Sequence, residues 1–316
     1  MSALTDDPAI SGARVGAFEH VGLLYDGAED YLAGVLPFVY DALAAGRPVL
    51  VAVPHANLGP LRTVLAAVPG VHYVDMTLAG RNPGRILPGV LLAFADAHPG
   101  RRVTVIGESV WPGRSRPEHS ACVLHEAMVN MVFAGRDALI VCPYDVRLGA
   151  PALTGAQRTH PVMMREGSRL PNPRYDDPLT MIDELNLPLT PAPAHAAAIT
   201  YHDDACLAEV RRFTAEQAAA IGLRPDRVQE LVLAVNELAT NTMEHTSAGG
   251  RLSMWSEQRM LVCQVDDHGH MADPLVGRVR PAGARGHGLM VVNQLCDLVR
   301  VHSRRGRTMI RLHMLI

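Results

Sequence analysis

A doubly wound parallel-sheet α/β domain followed by a two-layer α+β sandwich is the fold class predicted for this 316-residue chain. Three observations predict it. The first half alternates short, continuously apolar, β-branched runs with longer amphipathic stretches, and such strands call for a parallel sheet covered on both faces. The second half sets paired strands apart from its helices, the order of a sheet with helices on one side. Between the halves, Pro161, Pro171, Pro173, Pro178, Pro188, Pro191 and Pro193 interrupt both periodicities, because proline removes a donor and fixes φ.

In chain order, strands are expected at 18–24, 48–53, 71–75, 102–107 and 138–142. Helices are expected between them at 28–45, 57–67, 83–98 and 117–133. Residues 151–193 read as an extended, semi-rigid linker with one short helix near 179–185. The second half reads as a strand at 197–201, helices at 204–221 and 225–245, and strands at 251–255 and 260–266. A Gly/Pro-rich loop, a helix opening at Gly288 and strands at 299–303 and 308–314 complete it. The resulting division is a first domain over 1–165, a proline-rich linker over 166–195 and a second domain over 196–316.

Composition narrows the function classes. A 48% hydrophobic share excludes a disordered chain. With 29 Lys+Arg against 32 Asp+Glu, the net charge of −3 excludes nucleic-acid binding driven by bulk charge. Five cysteines form no CxxC pair and no secretory signal precedes the first domain, so free thiols in a reducing cytoplasm are expected. No apolar run approaches the ~20 residues of a membrane helix.

The helix at 225–245 carries the most chemistry. Val228, Leu231, Val232, Val235, Leu238 and Ala239 form its apolar face. Glu237, Asn241 and His245 follow one another at i, i+4 on another face. A carboxylate one turn before a carboxamide can orient a water or hydroxyl while the amide oxygen joins the shell of Mg²⁺; a solvated polar stripe is the alternative. Further on, Asp267-His268-Gly269 ends a strand, where a carboxylate can accept from an amino group and a glycine admits a flat ligand. Gly283, Arg285, Gly286 and Gly288 then open a helix at Gly288-Leu289, and glycine amides at a helix N-terminus favour phosphate. Gly306-Arg307-Thr308 turns into the last strand.

This ordered set resembles the Bergerat/GHKL ATPase fold of histidine kinases, gyrase-type ATPases and anti-sigma serine kinases. Glu237 to His245 looks like its N-box, Asp267-His268-Gly269 its first glycine box, Gly286-His287-Gly288-Leu289 its second, and Gly306 with Thr308 its closing strand. The resemblance implies ATP and Mg²⁺ as cofactors. It makes Glu237 the catalytic base and Asn241 the Mg²⁺ ligand, Asp267 the reader of the adenine amino group, and the amides near Gly286 the phosphate cradle. Met271 departs from the pattern, standing where a second glycine is usual and where its side chain could narrow the pocket. The segment before this domain is too short for a phosphoacceptor hairpin, and the 269–286 lid carries no second helix. Both features are similar to the RsbW-like anti-sigma factor branch, which binds a sigma factor and phosphorylates a Ser or Thr on a STAS-type antagonist.

The first half lacks a Walker A sequence, since Tyr25-Asp26-Gly27-Ala28-Glu29-Asp30 offers carboxylates where phosphates need amides and a lysine. Its segments 18–26, 107–113 and 142–145 look like the MEDS sensory domain, which resembles RecA-type ATPases without their phosphate loop. Glu108, Trp111, Tyr144 and Asp145 follow the C-terminal ends of two expected strands, where open parallel sheets bind ligands. They are the candidate pocket for a small amphiphilic or cationic effector; the alternative is that Trp111 fills a core edge and the acids cap helices. His119, Cys122, His125 and Glu126 share one side of a helix, but four ligands from one helix rarely converge on one ion, so a buried polar face is expected there. His268, His270 and His287 are expected as lid or phosphate-side donors.

Three functions follow: a sensor-coupled anti-sigma factor with Ser/Thr kinase activity, a nucleotide-bound protein that sequesters its partner without phosphotransfer, and an orphan histidine-kinase-like ATPase. All are expected in the cytoplasm without direct contact to nucleic acid or membrane. Homodimerisation is left open, and no periodicity in the chain marks a dimer face.

Overall fold

The computed structural model describes residues 17–281, 283 and 286–316. Arg285, named among the residues leading into the second glycine box, lies outside them. Strand β1 (Phe18–Tyr25) leads through α1 (Gly27–Ala44) to β2 (Val49–Val53), and α2 (His55–Val64) leads to β3 (Val71–Asp75). The short helices α3 (Met76–Ala79), α4 (Pro83–Ile86) and α5 (Ala93–Asp96) precede β4 (Val103–Gly107). Then come α6 (Arg116–Val132), β5 (Ala138–Asp145), α7 (Ala150–Thr159), β6 (Val162–Arg165), β7 (Ser168–Pro171) and α8 (Pro178–Leu185).

The first sheet has the order β3-β2-β4-β5-β1-β6-β7. All its pairings are parallel except that of β7 with β6. Because its central strands are apolar on both faces, two cores form. Val35, Val39, Leu58 and Leu61 pack over one face, and Cys122, Met128, Val129 and Ala156 over the other. This is the doubly wound class the sequence predicts.

Two expectations need correction. The helix expected at 83–98 is broken into α4, a π turn at Leu87–Leu92 and α5. Pro88 explains it: proline cannot donate to the carbonyl four residues back and its ring collides with it, so the backbone widens there. The linker read at 151–193 is largely folded. Helix α7 packs Ala152 and Ala156 into the first core, the β6–β7 hairpin extends the first sheet, and the boundary at 165/166 would cut that hairpin. Pro151 sits in the first turn of α7 and Pro178 in that of α8, where a missing N–H costs nothing. Met181 and Ile182 of α8, the short helix expected near 179–185, are buried in the first core.

The second sheet comprises β8 (Ala197–Tyr201), β9 (Gly250–Glu257), β10 (Met260–Asp267), β11 (Leu298–Arg304) and β12 (Arg307–Leu315). Its order is β11-β12-β10-β9-β8, antiparallel throughout. Helices α9 (Leu207–Ile221), α10 (Pro225–His245) and α11 (Gly288–Leu295) cover one face. Val210, Leu231, Leu238 and Val292 meet Leu252, Cys263, Val265 and Leu312 there.

The halves touch directly. Asn82 and Arg85 donate to the Asn293 carbonyl at 2.8 and 3.0 Å, and Arg85 also reaches the Cys296 carbonyl at 3.0 Å. Leu275 and Val279, from the lid before α11, pack on the first core. No helix among the described residues is long and apolar enough to cross a membrane.

Candidate functional site

Helix α10 begins at Pro225, whose absent N–H falls among the helix's free donors. It buries Leu231, Ala234, Val235, Leu238 and Ala239 against the second sheet. That seating turns Glu237, Asn241 and His245 toward the loops at one edge. A cavity of about 260 Å³ opens there, lined by Asn241, His245, Asp267, Gly269, Gly286, Gly288, Leu289 and Thr308 together with His270 and Met271. Eight of the expected cofactor-binding residues thus meet in one space.

Glu237 and His287 stand just outside that lining. A Cβ placed on Gly288 would lie 2.8 Å from Glu237 Oε2 and 3.3 Å from Asn241 Nδ2. The glycine is therefore what brings the start of α11 against Glu237 and Asn241. His287 is the residue that caps α11, and Gly286 before it has φ +87°, a left-handed backbone that glycine adopts without strain. Together they set the start of α11, with Gly288 and Leu289, in the cavity wall.

Asp267 closes β10 and is fixed from both sides. The Gly269 amide donates to Oδ1 at 2.8 Å and the Thr242 hydroxyl to Oδ2 at 2.9 Å, while Tyr201 donates to Thr242 at 3.2 Å. The β10–β12 register pairs Asp267 with Thr308, and Thr308 shares a hydrogen bond of 2.9 Å with Ser303. Ser303 in turn accepts the Met271 amide at 2.7 Å. Met271 is thus anchored in the cavity wall, packed on the core, and the space beside it remains open. His268 lies against the Gly306 carbonyl at 3.4 Å, away from the lining.

Tyr201, Thr242 and Ser303 are parts of this site that sequence reasoning missed. A signal did exist in Gly249-Gly250. A Cβ on Gly249 would lie 2.0 Å from the Tyr201 carbonyl oxygen, and one on Gly250 2.6 Å from the Tyr201 hydroxyl. Only glycines let the turn after α10 pass close enough to seat Tyr201 under Thr242.

At the first sheet, Glu108 and Asp145 do lie at the C-terminal edge, but both are already engaged. Tyr25 and Asn57 donate to the buried Glu108 carboxyl at 3.2 and 2.9 Å. Arg147 grips Asp145 at 2.8 and 2.6 Å, and Asp145 caps the turn that follows β5. Tyr144 is buried in the first core, and Trp111 packs at its edge with the Arg114 guanidinium 3.5 Å above its ring.

Burial pushes the Glu108 carboxyl up to about 8 from an ordinary 4.5. The folded chain therefore holds a proton between those values that the unfolded chain has released, and this contribution to stability is lost as pH rises through the window. Glu108→Gln keeps the shape and removes the titration. Relative to the parent, it should gain about 2–4 kcal/mol of stability between pH 5 and pH 8. Urea unfolding at both values reads this directly, and parallel shifts would rule it out.

Compared with known families, residues 19–161 match the MEthanogen/methylotroph, DcmR Sensory domain, MEDS. Residues 202–314 match the Histidine kinase-like ATPase domain. No curated protein matches the chain. Similar solved structures include the RsbU and RsbW domains of Rv1364c from Mycobacterium tuberculosis, 20% identical with a TM-score of 0.31, covering 39% of this chain and 33% of that one. The Acinetobacter baumannii histidine kinase AdeS is 11% identical with a TM-score of 0.24, over 43% of this chain and 73% of that one. The histidine kinase domain of the E. coli osmosensor EnvZ is 19% identical with a TM-score of 0.24, over 40% and 92%. The chain thus spans about a third of the first of these structures.

Proposed function

Since the chain joins a MEDS sensory domain to a histidine kinase-like ATPase domain, we propose that it is a sensor-coupled anti-sigma regulator. In this reading it binds ATP and phosphorylates a Ser or Thr of a STAS-type antagonist. The observation that carries the reading is the meeting of Asn241, Asp267, Gly288 and Thr308 around one open cavity, with Glu237 beside Gly288.

In this account Asp267 accepts the adenine amino group, held ready by Gly269 and Thr242. The amides at the start of α11 take the phosphates, helped by the positive end of the helix. Asn241 would hold Mg²⁺ through its side-chain oxygen, and the cation would neutralise phosphate charge there. Glu237 takes the proton of the acceptor hydroxyl as its oxygen bonds the γ-phosphorus. The bond from that phosphorus to the bridging oxygen breaks, and ADP leaves. A sigma factor is the other partner in this reading.

Incubation with labelled ATP and candidate antagonists tests the activity. Acid-stable label on Ser or Thr supports it, and nucleotide binding without transfer indicates pure sequestration. Acid-labile label on the chain itself indicates a histidine kinase instead.

Coupling between the halves belongs to the same proposal, because α11 is tied to α4 by Asn82 and Arg85. A Cβ on Gly84 would lie 2.1 Å from Asn293 Oδ1 and 2.9 Å from an Arg278 nitrogen. Gly84→Ala alters no cavity residue, yet by pressing on Asn293 of α11 it should change ATP affinity by about fivefold or more. Unchanged affinity in a folded variant would remove the coupling.

A further inference from the structure

Four buried side chains of the first domain, unconnected with the nucleotide cavity, converge at one point. They are His20 on β1, Glu126 on α6, Cys142 on β5 and His160 just after α7, and their ligand atoms all lie within 4.8 Å of one another. His20 Nε2 is 3.2 Å from Glu126 Oε2 and 3.4 Å from Cys142 Sγ. Glu126 Oε2 is 3.5 Å from Cys142 Sγ and 3.7 Å from His160 Nε2. An imidazolium–carboxylate pair would close to about 2.7–2.9 Å. Tetrahedral ligands at Zn²⁺ bond lengths of about 2.0–2.3 Å stand roughly 3.3–3.7 Å apart, close to what is seen.

The surroundings orient these atoms inward. Asn130 donates to the carbonyls of Glu126 and Thr159 at 3.1 and 2.7 Å, so its Oδ1 is left to accept from His20 Nδ1 at 3.0 Å. His160 Nδ1 donates to the Ala156 carbonyl at 2.8 Å. Each ring therefore presents a bare Nε2 to the centre, and among the described residues that of His160 has no hydrogen-bond partner. Ser109 donates to Glu126 Oε1 at 2.5 Å, which leaves Oε2 for the cluster. Gly22 makes room beside it: a Cβ there would lie 2.7 Å from Met163 Sδ and 3.1 Å from the His160 ring. Such outer partners, fixing tautomer and carboxylate orientation, accompany metal ligands.

We propose that His20, Glu126, Cys142 and His160 form a closed tetrahedral site for a borderline divalent cation, Zn²⁺ foremost, that staples β1, β5, α6 and α7 together. Two neutral imidazoles, a carboxylate and a thiolate balance the charge of Zn²⁺, and the Cys142 proton leaves to solvent on binding. Four protein ligands leave no open position, so the role is structural.

Cobalt is the probe. Full-length protein, stripped with chelator under reducing conditions, is titrated with Co²⁺. It should bind one equivalent with tetrahedral d–d bands and a thiolate charge-transfer band, both bleached by one equivalent of Zn²⁺. Cys142→Ser should lose the charge-transfer band, and Ser109→Ala should weaken Co²⁺ binding by about 10–100-fold. Cys206→Ser should change nothing, although His202, Asp203 and Cys206 form a second, more exposed cluster. Folding is followed by circular dichroism. If Cys142→Ser does not fold, the proposal stands or falls on the parent's thiolate band and its persistence in Cys206→Ser. Absence of stoichiometric Co²⁺ or of that band in the parent, or its survival in folded Cys142→Ser, overturns the proposal.

Discussion

Glu237→Gln should lower phosphate transfer from ATP to the antagonist by about 100- to 10,000-fold, the usual contribution of a positioned general base. Nucleotide affinity should stay near that of the parent. Glu237 is not in the cavity lining but stands beside Gly288, and in the proposed reading its carboxylate serves the incoming hydroxyl rather than the adenine or ribose. The glutamine keeps the size that Gly288 accommodates and removes only the ability to take a proton. Initial rates with labelled ATP, set beside calorimetric affinities, separate the two quantities. Equal losses in both would make Glu237 a binding residue, and an unchanged rate would remove it from the chemistry.

Asp267→Asn is the second large effect, and it falls on binding. The parent carboxylate accepts from Gly269 and Thr242 and keeps lone pairs for an amino group in the cavity. An asparagine has one oxygen for these donors, and in the proposed reading its amide group would meet the adenine amino group as donor to donor. Losing a hydrogen bond to a charged acceptor costs about 1.5–3 kcal/mol, which predicts a roughly 10- to 150-fold weaker ATP complex. In the substituted protein Thr242 loses its charged acceptor and turns to the Leu238 carbonyl at 3.1 Å, so a modest fall in melting temperature should accompany it. A folded variant that binds ATP as tightly as the parent would detach Asp267 from adenine recognition.

The two sites were unequally legible in the sequence. Glu237, Asn241 and His245 lie on one helix at a fixed spacing, and the glycines of the loops mark close backbone approaches. Local pattern therefore carried most of the nucleotide cavity. Thr242 was hidden because its role depends on Tyr201, more than forty residues away, and on the Gly249-Gly250 turn that seats it. The buried cluster was less legible still. Glu126 is grouped by helical spacing with His119, Cys122 and His125, whereas in the fold it faces His20, Cys142 and His160 from separate elements. The parallel register of β1 with β5 sets Cys142 opposite Gly22, two residues along from His20 on the same face. The proline-rich stretch misled for a related reason: Pro151 and Pro178 start helices, a use of proline that composition alone does not separate from a linker.

Calorimetric titration of the full chain with ATP and Mg²⁺ tests the central claim most directly, with Asp267→Asn run alongside. One ATP bound per chain, weakened at least tenfold by the substitution, is the expected outcome. A folded parent chain that releases no heat with ATP or ADP, or whose affinity ignores Asp267, would mean that the space between α10 and the lid is not a nucleotide site.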